Sequence, residues 1–259
     1  MISKRKTKFI ASLGLKKHRQ EEGLFVAEGP KVVGDLLQEM RAVLIVATQQ
    51  WLDSNGHVRA AGKDTEIITV TDEELRKVSF LQHPQQVMGV FHIPAAHAER
   101  ETESTTGLVL ALDGVQDPGN MGTIIRIADW FGITDIYYSQ ETVDPWNPKV
   151  VQATMGSIVR VRLHQVDLPR WISHLPDDCP VYGTLLEGNS IYEQKLSSQG
   201  VIVMGNEGNG ISPAVRPLVT HKLLIPNYPE GRKTADSLNV AIATAVTCAE
   251  FRRRTSVKS

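Results

Sequence analysis

The stretch 108-LVLALDGVQDPGNMGTIIRIADWFGITDIYYS-139 contains a complete α/β step. Leu108 to Leu112 is an unbroken apolar run, the pattern of a strand buried on both faces. Ile124, Ile127, Ala128 and Phe131 recur at helical spacing, and Gly132 supplies the stop. Asp135 to Ser139 begins the next strand. Strands joined by helices imply a mainly parallel sheet covered on both faces.

Downstream the alternation continues. A helix is expected over 148-PKVVQATMG-156, a strand over 158-IVRVRLHQV-166 and a helix over 167-DLPRWISHL-175. Strands follow at 181-VYGTLL-186 and 201-VIVMG-205, a short helix at 213-PAVRPLV-219 and a strand at 222-KLLIP-226. A long final helix starts near Ser237, with Leu238, Ala241, Ile242, Ala245 and Ala249 as its buried stripe. The segment 95–106 is polar and unpatterned and reads as a linker. It divides the chain into a small α/β domain at 1–94 and a larger one at 107–259. In the first, a basic helix precedes 24-LFVAEGPKVVGDLLQEM-40, a strand, a Gly29-Pro30 turn and a helix striped by Val32, Val33, Leu36, Leu37 and Met40. Strands at 43–48 and 66–70, the helix DEELRKVS (72–79) and a strand at 86–93 complete it.

With 41% hydrophobic and 22% charged residues in 259, the chain has a globular composition large enough for two domains. It has no apolar run of the roughly 18 residues that a membrane helix needs. The basic start lacks the apolar core of a secretory signal. Cys179 and Cys248 stand far apart without CxxC spacing, which argues for a reducing cytoplasm and against a disulfide framework or a metal site. The net charge of −1 hides an asymmetry. Lys4, Arg5, Lys6, Lys8, Lys16, Lys17 and Arg19 precede the first acid, and Arg252, Arg253, Arg254 and Lys258 crowd the other end. Either group could be a phosphate footprint or solvated terminal charge.

Open parallel sheets bind ligands beyond the carboxyl ends of their strands. After 108–112 comes DGVQDPGNMGTIIR, where glycines precede a helix start, with Asn120 just before it and Arg126 a turn inside. The asparagine is either a helix cap or a ligand group. After 201–205 comes NEGNGIS, where Glu207 sits among Gly205, Gly208 and Gly210. After Ile225-Pro226 comes NYPEGRKTADSLN, in which Asp236 or Ser237 can cap the last helix and Asn239 lies in its first turn. Each loop alone reads as an ordinary turn; together they place small and polar groups on one rim. GxGxxG after the first strand, GxxxxGK[ST], HExxH and GxSxG are all missing, so a nicotinamide enzyme, an NTPase, a zinc protease or a serine hydrolase has no support.

These segments resemble a known family. Asn120-Met-Gly-Thr-Ile-Ile-Arg126, Met204–Ser212 and Ile225-Pro226 with Ser237-Leu-Asn-Val240 are similar, in order and spacing, to the three motifs of SpoU/TrmH RNA methyltransferases of the SPOUT superfamily. Residues 1–94 resemble the substrate-binding domain of members that modify ribosomal RNA, a fold akin to certain RNA-binding ribosomal proteins. Here Asn227 replaces the family's Met, Asp236 its Glu and Ala241 its Ser, and the turn before Ser237 is longer and charged.

The resemblance implies a trefoil-knotted catalytic domain, S-adenosylmethionine as cofactor, RNA as partner and a homodimer whose second subunit completes the site. No metal is implied. It assigns cofactor contacts to Thr184, Leu185, Gly205, Ile225 and Leu238, and catalysis to Arg126, Asn120, Glu207, Ser237 and Asn239. An ordinary guanidinium ionises at about 12.5 or above, so neutralising one at pH 7 costs about 7 kcal/mol. Arg126 therefore reads as a phosphate clamp that orients the 2′-hydroxyl, rather than as a base. Ribosomal RNA is the expected substrate; transfer RNA, or a non-catalytic RNA-binding module of the same fold, is the alternative.

Overall fold

A computed structural model describes residues 2–56, 58, 65–94, 107–229 and 232–255, and the chain divides into two units. The first comprises residues up to 95 together with 144–159; the second comprises the remainder. The segment 144–159, which the sequence reading groups with the C-terminal domain, thus folds with the first unit. The linker expected at 95–106 lies outside the described residues, as does Lys258.

In the first unit, α1 (Lys4–Ser12) and α2 (Lys16–Glu22) stand where a single basic helix was expected. They are followed by β1 (Leu24–Glu28), α3 (Pro30–Glu39), β2 (Ala42–Thr48) and α4 (Gln49–Ser54). Then come β3 (Glu66–Val70), α5 (Asp72–Val78) and β4 (Val87–His92). The sheet order is β1-β4-β2-β3, with β4 antiparallel to both neighbours and β2 parallel to β3. Val26, Leu44, Val46, Met88 and Val90 face Ile10 of α1 and Leu75 and Val78 of α5 in one core. Thr71 and Glu74 form a reciprocal capping box at the start of α5.

Arg19 of α2 is buried, with 1% of its surface exposed. Its Nε donates to the Asp144 carboxylate at 2.9 Å and its Nη1 to the Leu13 carbonyl at 2.8 Å. Trp146, two residues after Asp144, packs on Phe25 of β1 with ring centroids 4.8 Å apart. The segment 144–159, which includes α7 (Pro148–Ala153), is held to this unit by that ion pair and that ring contact.

The second unit is a six-stranded sheet in which every neighbouring pair is parallel. Its strands are β5 (Leu108–Asp113), β6 (Asp135–Tyr138), β7 (Arg162–Gln165), β8 (Val181–Ser190), β9 (Gly200–Gly205) and β10 (His221–Leu224), ordered β10-β8-β9-β5-β6-β7. The helices are α6 (Pro118–Trp130), α8 (Leu168–Ser173) and α9 (Val240–Thr255). Val109, Ala111, Val201 and Val203 point to the face covered by Leu168, Trp171 and Ile172 of α8. The alternate residues Leu110, Ile202 and Tyr182 pair across the opposite face, where Tyr182 meets Phe251 of α9 edge-on at 4.9 Å. Helices therefore cover both faces, as the unbroken apolar strands require.

Gly132 ends α6 as expected. Its φ is +64°, the Ile133 N–H reaches the Ala128 carbonyl at 2.8 Å, and the Gly132 N–H reaches that of Asp129 at 3.2 Å. Three details differ from the sequence reading. The strand expected over 158–166 is only β7, and residues Ser157–Val159 form a 3-10 turn. The last helix begins at Val240, not near Ser237. Its buried stripe is Val240, Ala241, Thr244, Thr247, Cys248 and Phe251, whereas Leu238 and Ile242 are 52% and 54% exposed. Thr244 can sit inside because its hydroxyl donates to the Val240 carbonyl at 2.7 Å, removing the cost of burying it.

Candidate functional site

The loops after β5 and β9 are stitched together at the carboxyl edge of the sheet. The Asp113 carboxylate, at the end of β5, accepts the Ser212 N–H at 2.7 Å. Asn206 donates through Nδ2 to the Gly114 carbonyl at 2.7 Å, while its Oδ1 accepts the N–H groups of Gly208 and Asn209 at 2.9 and 3.0 Å. Asn206 and Gly210 also exchange backbone hydrogen bonds of 2.9 Å, closing the NEGNG loop on itself. The chain passes so close that a Cβ on Gly205 would lie 2.3 Å from the Gly210 carbonyl carbon, so only glycine fits there. On the other side of the β5 turn, the Gly114 N–H is shared by Ser139 Oγ (3.1 Å) and Thr142 Oγ1 (3.2 Å).

Asn120 was read as flanking the start of α6, but the cap is Asp117, whose side chain accepts the Asn120 N–H at 2.8 Å. This leaves the Asn120 side chain free for the site. Its Nδ2 donates to Glu207 Oε1 at 3.0 Å, and its Oδ1 accepts from Asn239 Nδ2 at 2.9 Å. Asn239 is the cap of α9, a place the sequence reading gave to Asp236 or Ser237. Its Oδ1 accepts the N–H groups of Ala241 and Ile242 at 3.0 and 3.3 Å. Capping commits that oxygen, so the amide nitrogen must face Asn120, and Asn120 must in turn donate to Glu207. The direction of the whole chain follows from one helix cap.

A cavity of about 510 Å³ opens beside this chain. Thr184, Leu185, Gly205, Ile225 and Leu238 all line it, with Glu207 and Ser237. Part of its wall comes from an interruption in β8. Tyr182 and Gly183 pair with His221 and Lys222, but the next pairs are Asn189 with Leu223 and Ser190 with Leu224. Residues 184–188 leave the ladder, which frees their main chain for a ligand. The sequence reading ended this strand at Leu186 and carried no signal for the jump in register.

Arg126 is not brought to this cavity. It is exposed on α6 and makes no hydrogen bond or ion pair to a described residue. Six residues separate it from Asn120, about 120° around the helix. Glu187 and Arg216, which the sequence did not flag, also line the cavity, and Glu187 accepts hydrogen bonds or ion pairs from Arg216 (2.7 Å) and Lys222 (3.0 Å). The Arg216 contact, then the Lys222 contact, hold the Glu187 carboxyl below the usual range. Among the described residues no group of His, Cys, Asp and Glu could hold a metal ion, and no helix is long and apolar enough to cross a membrane.

The fold and these motif positions are those of a methyltransferase domain. Residues 107–249 match the SpoU rRNA Methylase family and residues 4–89 the MRM3-like substrate binding domain, and the chain belongs to the SpoU rRNA methylase family. A putative RNA methyltransferase of the TrmH family from Porphyromonas gingivalis is 40% identical, with a TM-score of 0.87 over 98% of this chain and 99% of that one. An AdoMet-bound rRNA methyltransferase from Sinorhizobium meliloti is 30% identical, with a TM-score of 0.84 over 98% and 96%. The Bacillus subtilis 23S rRNA (guanosine(2553)-2′-O)-methyltransferase RlmP is 29% identical over 93% of both chains.

Proposed function

We propose that this enzyme methylates a ribose 2′-hydroxyl of large-subunit ribosomal RNA with S-adenosylmethionine as donor. The observation that carries the reading is the Asn239–Asn120–Glu207 chain beside the 510 Å³ cavity, because it ties the three motif segments to a single ligand-sized space. The lining suits that cofactor. Leu185, Met204, Ile211 and Leu223 offer apolar walls to an adenine, and Thr184 and Ser237 offer hydroxyls. Glu207 and Asp236 complement a sulfonium cation, while the one cation among the described lining residues, Arg216, is paired with Glu187. Thr184, Leu185, Gly205, Ile225 and Leu238 would hold the cofactor, which supplies a methyl group activated by its positive sulfur.

The protein's part is alignment. Arg126, exposed on α6 and without a hydrogen bond or ion pair to a described residue, clamps the phosphate beside the target ribose and orients the 2′-hydroxyl. Asn120 holds Glu207, and not Arg126, since its amide is taken at both ends. Ser237 orients the ribose from the cavity rim. The first unit grips RNA through Lys4, Arg5, Lys8, Lys16 and Lys17, all exposed; Lys6 is partly spent on Glu66 and Arg19 on Asp144. That basic surface and the match to a substrate-binding domain favour ribosomal over transfer RNA.

The working form is a homodimer. Trp130 at the end of α6 is 85% exposed, and Ile242 on the helix packed beside it is 54% exposed. A second copy covering this surface gives the exposed Arg126 a site to complete. Sedimentation is expected to show twice the chain mass for the wild type and the monomer mass for Ile242→Glu. The trefoil knot and a cytoplasmic setting, in keeping with Cys179 and Cys248 not being joined in a disulfide, belong to the same proposal.

The test is transfer of labelled methyl to ribosomal and transfer RNA transcribed in vitro, followed by nuclease digestion. Label in a 2′-O-methylnucleoside of the large ribosomal RNA is expected. Arg126→Ala should lower the rate on the order of 100-fold and leave cofactor affinity unchanged. Label only in transfer RNA overturns the substrate, label in neither despite cofactor binding makes an assembled ribosomal particle the substrate, and no cofactor binding leaves an RNA-binding module.

A further inference from the structure

The turn between Ile225 and Leu238 begins and ends on the cavity wall, since Ile225, Asp236, Ser237 and Leu238 all line it. Between them the described residues are exposed and braced by their own bonds. Asn227 Nδ2 donates to the Arg232 carbonyl at 2.9 Å and to Thr234 Oγ1 at 3.3 Å, and the Arg232 N–H donates to the Pro229 carbonyl at 3.2 Å. The asparagine that stands where the family has methionine is thus the strut of the longer turn.

On that turn Tyr228 is 90% exposed. A tyrosine ring left in water forgoes most of what its burial would contribute, and a braced turn holds it out at little entropic cost on binding. Arg232 and Lys233 are also exposed, and neither forms an ion pair with a described residue. The turn also holds two acids, Glu230 and Asp236, and of these Asp236 lines the cavity. An aromatic face beside exposed cations is the composition that receives an unstacked base and its phosphates.

We propose that Tyr228 is a specificity-determining residue that stacks on a nucleobase flanking the target ribose, with Arg232 and Lys233 on the adjoining phosphates. This rests on the reading of the cavity as the methyl-donor site, because both ends of the turn lie on that cavity's wall. It also implies that the target is single-stranded there, since a paired base has no free face to offer.

The experiment compares wild type, Tyr228→Ala, Tyr228→Phe and the double variant Arg232→Gln/Lys233→Gln on unmodified large ribosomal RNA transcribed in vitro. RNA affinity, KM for RNA, kcat, cofactor affinity and sedimentation are measured for each. Stacking predicts that Tyr228→Ala weakens RNA affinity about tenfold with cofactor affinity unchanged, and that Tyr228→Phe stays within about twofold. The double variant should weaken RNA affinity and flatten its dependence on salt. Unchanged RNA affinity in Tyr228→Ala overturns the proposal, as does a loss accompanied by dissociation to monomers, which makes the ring a subunit contact. Wild-type transfer tests the methyltransferase reading separately, because the affinity ratio between variants is readable whether or not methyl is transferred.

Discussion

Asp135 shows how one charge is kept in a covered place. It accepts hydrogen bonds from Arg162 Nε at 2.7 Å and Thr134 Oγ1 at 2.8 Å, and lies 2.9 Å from His164 Nε2. Burial pushes its carboxyl upward, but the contacts with His164, Arg162 and Thr134 outweigh that and hold it well below the usual range. A carboxyl lowered in the fold contributes stability that is fully present above its ordinary value of about 3.9 and is lost progressively as pH falls from there through its folded value. Asp135→Asn should therefore cost about 2 kcal/mol at neutral pH and less at pH 3, where part of that contribution is already gone, read from urea midpoints at both. An equal loss at both pH values would mean that packing, not charge, matters there. The sequence displayed such charges without their partners. Arg252 donates to the carbonyls of Phe131 and Gly132, and Arg253 and Arg254 hold Glu250, so three of the four cations that resembled a phosphate footprint have partners within the chain. Side-chain type is local, but its partner is up to 125 residues away.

At the level of elements, the cap of α9 separates stability from catalysis. Asn239→Asp keeps an oxygen for the Ala241 and Ile242 N–H groups and places negative charge at a helix start, so thermal stability should hold or rise slightly. It removes the donor to Asn120, and methyl transfer should fall about tenfold, as expected for losing one charge-linked hydrogen bond. Asn239→Ala should lose both, costing about 1 kcal/mol of stability as well. Activity retained in the aspartate variant would remove Asn239 from the site chain. Elements with a strong period were legible: the parallel strands came from unbroken apolar runs, and the end of α6 from Gly132. The interruption at 184–188 was not, because TLLEG continues an apolar pattern and only the register of β10 shows where pairing fails. Likewise the buried face of α9 uses threonines, whose polarity by sequence concealed that Thr244 satisfies itself on its own helix.

Across the whole molecule, the first unit depends on a segment that follows β6 of the second. Asp144→Ala would leave Arg19, only 1% exposed, as a buried cation without its carboxylate. A loss of about 3–5 kcal/mol is expected, measured by denaturation and by protease sensitivity of the helices at 4–22. Replacing both residues by apolar ones of similar volume should recover much of it. The two-part organisation and the three converging loops were legible from motif order. The docking of 144–159 was not, because a contact across 125 residues leaves no periodicity to read.

That docking sets an order on biosynthesis. Elongation is vectorial, and the helix bearing Arg19 leaves the ribosome long before Asp144 is made. The RNA-gripping unit cannot close as a finished object until residue 159 has emerged, by which time β5, α6 and β6 of the catalytic unit have been translated. A prematurely terminated product therefore lacks a completed RNA-gripping fold, and fragments that occupy ribosomal RNA without modifying it are disfavoured by the connectivity of the chain itself.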